Sequence, residues 1–224
     1  MSRIKIAISG ASGKMGRELD VISRTKDFSF QVTHQIGRTN LAKTFKGQFE
    51  ADVIIDFSNP QFTMQLLQKT KDLDVGLVIG TTGFNETQLK KISAAAKTKR
   101  VFYSANMSLG VAALRKAMQV FNYLSDFDFQ IVEFHHNQKK DNPSGTALML
   151  QKALPKSSKS KQPVGVRGGG IFGIHNVYAM SESEIIEFSH TALNRQVFAK
   201  GAVKVAKWLH EQKPGRLYTF EDYF

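Results

Sequence analysis

Two adjacent histidines, His135 and His136, stand just ahead of Lys139 and Lys140 and of the run Asn142-Pro143-Ser144-Gly145-Thr146. Imidazole titrates near neutral pH and exchanges a proton, while a lysine ammonium supplies a fixed positive charge. The free N–H groups of a helix start bind carboxylate or phosphate oxygens. Residues of these types within one loop suit a small anionic substrate that must receive a proton. A histidine pair at a strand end is by itself more often structural. The lysines and the helix start beside it carry the functional reading.

The segment changes character as it runs. Ile131 to Phe134 reads as a strand, the histidines and lysines as a polar loop, and Ala147 to Leu154 has helical spacing. Asp141-Asn142-Pro143 supplies a turn and capping signal between them.

A second chemical group lies near the N-terminus, where Gly10-Ala11-Ser12-Gly13-Lys14-Met15-Gly16 follows an apolar run and precedes a helical pattern. Glycines there let the backbone turn sharply and approach a pyrophosphate, with the helix N-terminus facing it. The spacing G-x-x-G-x-x-G departs from the commoner G-x-G-x-x-G, so the context carries more weight than the motif. It is not a P-loop, because Met15 stands where a magnesium-binding Ser or Thr would be needed. After the second strand, Gly37-Arg38-Thr39 occupies the place where an acid usually meets the ribose 2′-OH. An arginine without a neighbouring carboxylate favours a 2′-phosphate, hence NADP. Two more strand ends, Gly80-Thr81-Thr82-Gly83 and Ser104-Ala105-Asn106-Met107-Ser108, carry small polar turns suited to a shared ligand groove.

These turns must be held by a regular scaffold, and the N-terminal half supplies one. Strands at Arg3–Ser9, Phe28–Ile36, Asp52–Phe57, Val75–Ile79 and Arg100–Tyr103 alternate with helices at Lys14–Arg24, after Pro60 through Leu73, and at Asn85–Lys97. This alternation predicts an α/β fold with a doubly wound parallel sheet, ligands binding at the carboxyl ends of its strands. An amphipathic helix is predicted over Val111–Leu124, with later strands at Gly173–Met180 and Glu184–His190.

The 224 residues hold 42% hydrophobic residues, enough for a packed core, and no cysteine. A disulfide scaffold, a thiolate metal site and a cysteine nucleophile are thereby excluded. The net charge of +12 raises nucleic acid as a partner, but the lysines are scattered over several helices and the loop Lys156-Ser157-Ser158-Lys159-Ser160-Lys161. No zinc-finger, KH or RNP motif accompanies them, so no nucleic acid is expected. With neither a signal peptide nor a membrane-length apolar run, the expectation is a cytoplasmic protein without a membrane partner.

Gly10 to Gly16, Gly80 to Gly83, Ser104 to Ser108, Arg195 to Ala202 and above all Glu133-Phe134-His135-His136-Asn137-Gln138-Lys139-Lys140-Asp141-Asn142-Pro143-Ser144-Gly145-Thr146-Ala147 resemble the ordered motifs of the 4-hydroxy-tetrahydrodipicolinate reductase family. The likeness spans nearly the whole chain. It implies an NAD(P)H-dependent oxidoreductase of the diaminopimelate route to lysine, cytoplasmic and homotetrameric, acting on a small dicarboxylate. NADPH is the preferred cofactor and NADH possible. The implied fold is a Rossmann-type domain, residues 1–107 and 197–224. A mixed-sheet α+β domain, residues 108–196, binds substrate and builds the tetramer.

Carried over by that resemblance, His135 donates the proton and Lys139 is the essential cation. His136, Gly145 and Thr146 meet the substrate carboxylates. Gly10, Ala11, Ser12, Gly13, Lys14, Met15, Arg38, Gly80, Thr81, Thr82, Ser104, Ala105, Asn106 and Met107 line the cofactor. The chain is short between Arg38 and Asp52, which leaves the adenosine side less enclosed, and between Leu154 and Gly168, which shortens a loop available for tetramer contacts. His34, His175, His190 and His210 read as structural, with no metal-ligand spacing and no metal expected. Arg195, ahead of another helical segment, is a candidate second cation, with a surface ion pair the favoured reading. The rival from another class is a dinucleotide-binding sensor that has lost the chemistry.

Overall fold

A computed structural model describes residues 3–25, 30–156 and 159–224. In chain order these form β1 (Ile4–Ser9), α1 (Lys14–Ser23), β2 (Phe30–Ile36), α2 (Leu41–Thr44), β3 (Val53–Asp56), α3 (Pro60–Lys69), β4 (Gly76–Ile79), α4 (Glu86–Ala95) and β5 (Val101–Tyr103). Then come α5 (Leu109–Ala117), a 3-10 turn over Met118–Tyr123, β6 (Asp128–His135), α6 (Gly145–Gln151), β7 (Lys159–Ser160) and β8 (Val164–Arg167). β9 (Ile174–Met180), β10 (Ile185–Thr191), α7 (Gln196–His210), β11 (Leu217–Tyr218) and α8 (Phe220–Tyr223) complete the order. The chain divides into two units, one ending at Met107 and resuming over Phe198–Phe224, the other Ser108–Val197.

The first unit is a six-stranded parallel sheet in the order β11-β5-β4-β3-β1-β2. Every residue of β3 and β4 is buried, as expected of continuous apolar strands covered on both faces. The helices start where their sequences say they should. Asn59 accepts the Phe62 N–H ahead of Pro60, and Asn85 and Gln88 close a capping box on α4. Ile54, Leu66, Leu77 and Ile92 pack into one core. Chain order reverses direction between β1 and β3, the switch point at which such sheets open a crevice.

The second unit is a mixed sheet in the order β10-β9-β6-β7, with β8 parallel to β6. β6 alternates strictly, burying Phe129, Ile131, Glu133 and His135. Phe129 and Ile131 pack with Val111, Met118 and Leu150 from the α5 and α6 region. Glu133 and His135 therefore continue a core-facing row beyond the point where it is apolar.

Several expectations change. The helix predicted to Leu124 ends at Ala117 and tightens into 3-10 geometry. α6 starts two residues early, at Gly145, because Ser144 accepts the Ala147 N–H as its cap. The lysine- and serine-rich loop contributes β7, whose residues pair with Asp128 and Phe129. Ser157 and Ser158 of that loop, and Phe28 at the predicted start of β2, lie outside the described residues.

Candidate active site

β6 ends in a carboxylate and an imidazole on the same face, because residues two apart on a strand point the same way. The Glu133 side chain is fully buried, and a buried carboxylate requires partners on both oxygens. It has four. Arg167 of β8 grips it with both ends of its guanidinium, Nη2 to Oε1 at 2.7 Å and Nη1 to Oε2 at 3.1 Å. The Ser144 N–H donates to Oε1 at 3.0 Å, and His135 Nδ1–H donates to Oε2 in a very short contact. Burial pushes the Glu133 carboxyl up, but Arg167 and His135 outweigh it and hold the group below the usual carboxylate range. Burial of His135 holds its pKa below the usual imidazole value, although Glu133 pulls in the opposite direction. With Nδ1 committed to Glu133, Nε2 is the nitrogen left to exchange a proton.

Neither Glu133 nor Arg167 stood out in sequence as a site residue. Glu133 was visible in the motif, but nothing local showed that its partner would come from a strand 34 residues away. His175, expected to be structural, is also in this cluster. It pairs directly with Glu133 across β6 and β9 and with His190 across β9 and β10. Its Nε2 lies 3.4 Å from the Ser144 hydroxyl, and its Nδ1 is buried without a partner among the described residues. Burial, reinforced by the neighbouring His135, takes its pKa down to about 4. His190 lies against Ser108 Oγ at 3.2 Å.

The polar loop folds back over this row. The His136 N–H donates to the Ile171 carbonyl at 2.7 Å, and the Gly168 N–H to the His135 carbonyl at 2.9 Å. Lys139 does not project as an unpaired cation, since its ammonium meets both Asp141 oxygens at 2.8 and 2.9 Å. Gly145 and Thr146 form the first turn of α6 behind the Ser144 cap. Arg195 lies over the Phe172 ring, 5.6 Å from its centroid, in place of the expected surface ion pair. His34 lies tilted against Phe49, ring centroids 4.7 Å apart, and the His210 carbonyl accepts from Arg100.

In the first unit a cavity of about 660 Å³ opens at the switch point. Gly10, Ala11, Ser12 and Gly13 line one side, Gly37, Arg38 and Thr39 another, and Ser58 and Asn59 a third. Gly13 caps α1 with no side-chain hydrogen bond, so the N–H groups of that helix start have no competing side-chain acceptor there. A glycine-lined crevice ending at such a helix fits the pyrophosphate of a dinucleotide. Lys14, Met15, Gly80, Thr81, Thr82 and Ser104 to Met107 do not line this cavity. Thr81 is buried with its hydroxyl bonded to Asp56 and to the Ser58 N–H, and Ser104 Oγ donates to the Asn106 carbonyl at 2.7 Å. Met107 is buried. Among the described residues no group of three or more His, Cys, Asp or Glu is placed to hold a metal ion, and no helix is long and apolar enough to cross a membrane.

Known proteins match along the whole chain. Residues 4–107 match the family described as "Dihydrodipicolinate reductase, N-terminus", and residues 108–224 its C-terminus counterpart. The 4-hydroxy-tetrahydrodipicolinate reductase of Bdellovibrio bacteriovorus is 43% identical over 224 residues, covering 99% of this chain and 96% of its own. That of Campylobacter jejuni subsp. doylei is 37% identical over 244 aligned residues, with the same coverage. The dipicolinate-bound dihydrodipicolinate reductase from Paenisporosarcina sp. TG-14 superposes with a TM-score of 0.78 at 21% identity over 99% of both chains, a likeness of fold. With both family halves matched in order over nearly every residue, the chain belongs to the dihydrodipicolinate reductase family of oxidoreductases.

Proposed function

We propose that this enzyme reduces 4-hydroxy-tetrahydrodipicolinate to tetrahydrodipicolinate, with NADPH preferred to NADH and His135 as the proton donor. The observation that carries the reading is the contact between His135 Nδ1 and the buried Glu133 carboxylate. Reduction needs a hydride and a proton. The dinucleotide supplies the hydride when bound, and the residues of the chain do the rest.

Glu133 fixes the ring and tautomer of His135 and favours its protonated form, so that Nε2–H is the acid. Arg167 and the Ser144 N–H hold Glu133 in turn. Lys139 supplies positive charge to the substrate carboxylates, and Asp141 orients the ammonium until they arrive. His136, Gly145 and Thr146 are assigned to the same carboxylates, consistent with their place in the loop and the first turn of α6. Gly10 to Met15, Gly80 to Thr82 and Ser104 to Met107 are assigned to the dinucleotide. The exposed Arg38 in the cavity wall favours a 2′-phosphate, since a guanidinium binds phosphate by charge-assisted hydrogen bonds.

The relatives' names support a place in the diaminopimelate route to lysine, and a biosynthetic role of that kind fits the cytoplasm. Homotetramer formation is supported by the outward face of the mixed sheet, where Ile185, Val164 and Val166 are exposed at 66%, 52% and 40%. The direct test is oxidation of NADPH, followed by absorbance, with freshly generated 4-hydroxy-tetrahydrodipicolinate. Folded protein without substrate-dependent oxidation of NADPH or NADH would rule the assignment out.

A further inference from the structure

The last residue of β3 is a carboxylate with no cation beside it. Asp56 is fully buried at the switch point, and its neighbours are all neutral hydroxyls. Ser9 Oγ, the final side chain of β1, donates to Oδ1 at 2.5 Å. Thr63 Oγ1, in the first turns of α3, donates to Oδ2 at 2.5 Å, and Thr81 Oγ1, just past β4, donates to Oδ2 at 3.0 Å. Thr81 Oγ1 then accepts the Ser58 N–H at 2.8 Å, and the Gly80 N–H donates to the Asp56 carbonyl at 2.9 Å.

The backbone around Asp56 is packed just as closely. Gly10 has φ of 76°, and a Cβ there would fall 2.3 Å from the Phe57 carbonyl oxygen. A Cβ on Gly80 would fall 2.3 Å from the Phe57 ring. Both glycine turns thus rest on the residue that follows Asp56, and the carboxylate ties down the side chains adjoining each turn. Burial pushes the Asp56 carboxyl above the usual carboxylate range, against the pull of its hydroxyl partners, and an apolar residue of similar size would carry no such cost. The two Asp56 oxygens instead meet hydroxyls from β1, α3 and the turn after β4. A carboxamide would present a donor to one set of them and release Thr81 or Ser9 to turn elsewhere.

We propose that Asp56 is the positioning residue of the dinucleotide groove. Its carboxylate sets the turns Gly10–Gly13 and Gly80–Gly83 in the mutual arrangement that receives the cofactor, without touching the cofactor itself. The proposal rests on the assignment of that groove to a nicotinamide dinucleotide.

Titration calorimetry with NADPH and, separately, with dipicolinate tests it on the intact enzyme, beside a melting curve. Asp56→Asn should raise the Kd for NADPH by about tenfold or more as the two turns lose their shared anchor, while the Kd for dipicolinate stays within twofold of wild type. Thr63→Val should weaken NADPH binding by about threefold or more on the same basis, and Thr63→Ser, which keeps the hydroxyl, should restore it. An Asp56→Asn protein that melts lower yet binds NADPH as wild type does would show a purely structural carboxylate and overturn the proposal. If Asp56→Asn does not fold, the Thr63 pair decides, and wild-type affinity in Thr63→Val overturns it. Wild-type protein that binds neither NADPH nor NADH would overturn the assignment of the groove itself, a failure distinct from unchanged affinity in the variants.

Discussion

His175 lies edge-on to His135, their ring centroids 5.2 Å apart and their planes at 76°. Two imidazoles so close, with one carboxylate beside them, do not share a proton equally. The Glu133 hydrogen bond goes to His135, and burial takes His175 down to about 4. The arrangement keeps the charge on His135 when either ring is protonated.

That difference makes stability depend on pH in a defined window. The folded pKa of His175 is depressed, from 6.5 to about 4, so below pH 6.5 the unfolded chain binds a proton that the folded chain refuses. The His175 contribution is complete above about 6.5 and is lost as pH falls toward 4, roughly 3 kcal/mol in all. Urea midpoints at pH 7.5, 6 and 4.5 should fall more steeply for wild type than for His175→Gln. Parallel profiles would show that His175 is not held neutral.

Replacing the proposed acid should act on turnover. His135→Gln should cut kcat by about 10²–10⁴-fold with a smaller effect on KM, since the acid works mainly in the transition state. Glu133 raises the His135 pKa, so Glu133→Gln should shift the alkaline fall of kcat/KM to lower pH. Near-wild-type kcat in a well-folded His135→Gln protein would remove this histidine from the mechanism.

Lys139 should behave differently. Its charge assists both carboxylate binding and the developing negative charge, so Lys139→Ala should lower kcat and raise the KM for the substrate with NADPH affinity intact. Its ion pair with Asp141 is a partly exposed one, of the kind that contributes little to stability. The melting temperature should therefore move little, and a large drop would point to a structural role.

Cofactor choice rests on Arg38. Charge-assisted contacts contribute about 1.5–3 kcal/mol, so NADPH should have the lower KM by roughly tenfold or more. Arg38→Ala should remove most of that preference by raising the KM for NADPH while leaving that for NADH nearly unchanged. A wild-type enzyme that uses NADH equally well would show Arg38 to be uninvolved.

Assembly is the last expectation. A mixed sheet with apolar side chains on its outward face needs a covering surface, and light scattering should report the mass of four chains. Ile185→Lys, which puts a charge on that face, should lower the mass. A monomer mass independent of concentration in the wild type would count against the tetramer.

Periodicity and local chemistry were enough to read the parallel sheet from this sequence. Strand and helix patterns are written in neighbouring residues, as are the caps at Asn59 and Asn85. The glycine turn before α1 and the histidine and lysine loop after β6 were legible for the same reason. Their chemistry depends on residue types that stand side by side.

Pairing between distant segments had no such signature. Lys159 and Ser160 form a strand because Asp128 and Phe129 offer them an edge, against their own composition. Arg167 and His175 reach Glu133 through strand register, and register depends on which faces are buried rather than on any short motif. Asp56 reads in sequence as the polar end of an apolar strand. Only the meeting of β1, α3 and β4 around it supplies the hydroxyls that satisfy a buried carboxylate. The sequence by itself determined which groups are available for chemistry, and the tertiary structure decided which of them are buried together, and with that their pKa values and orientations.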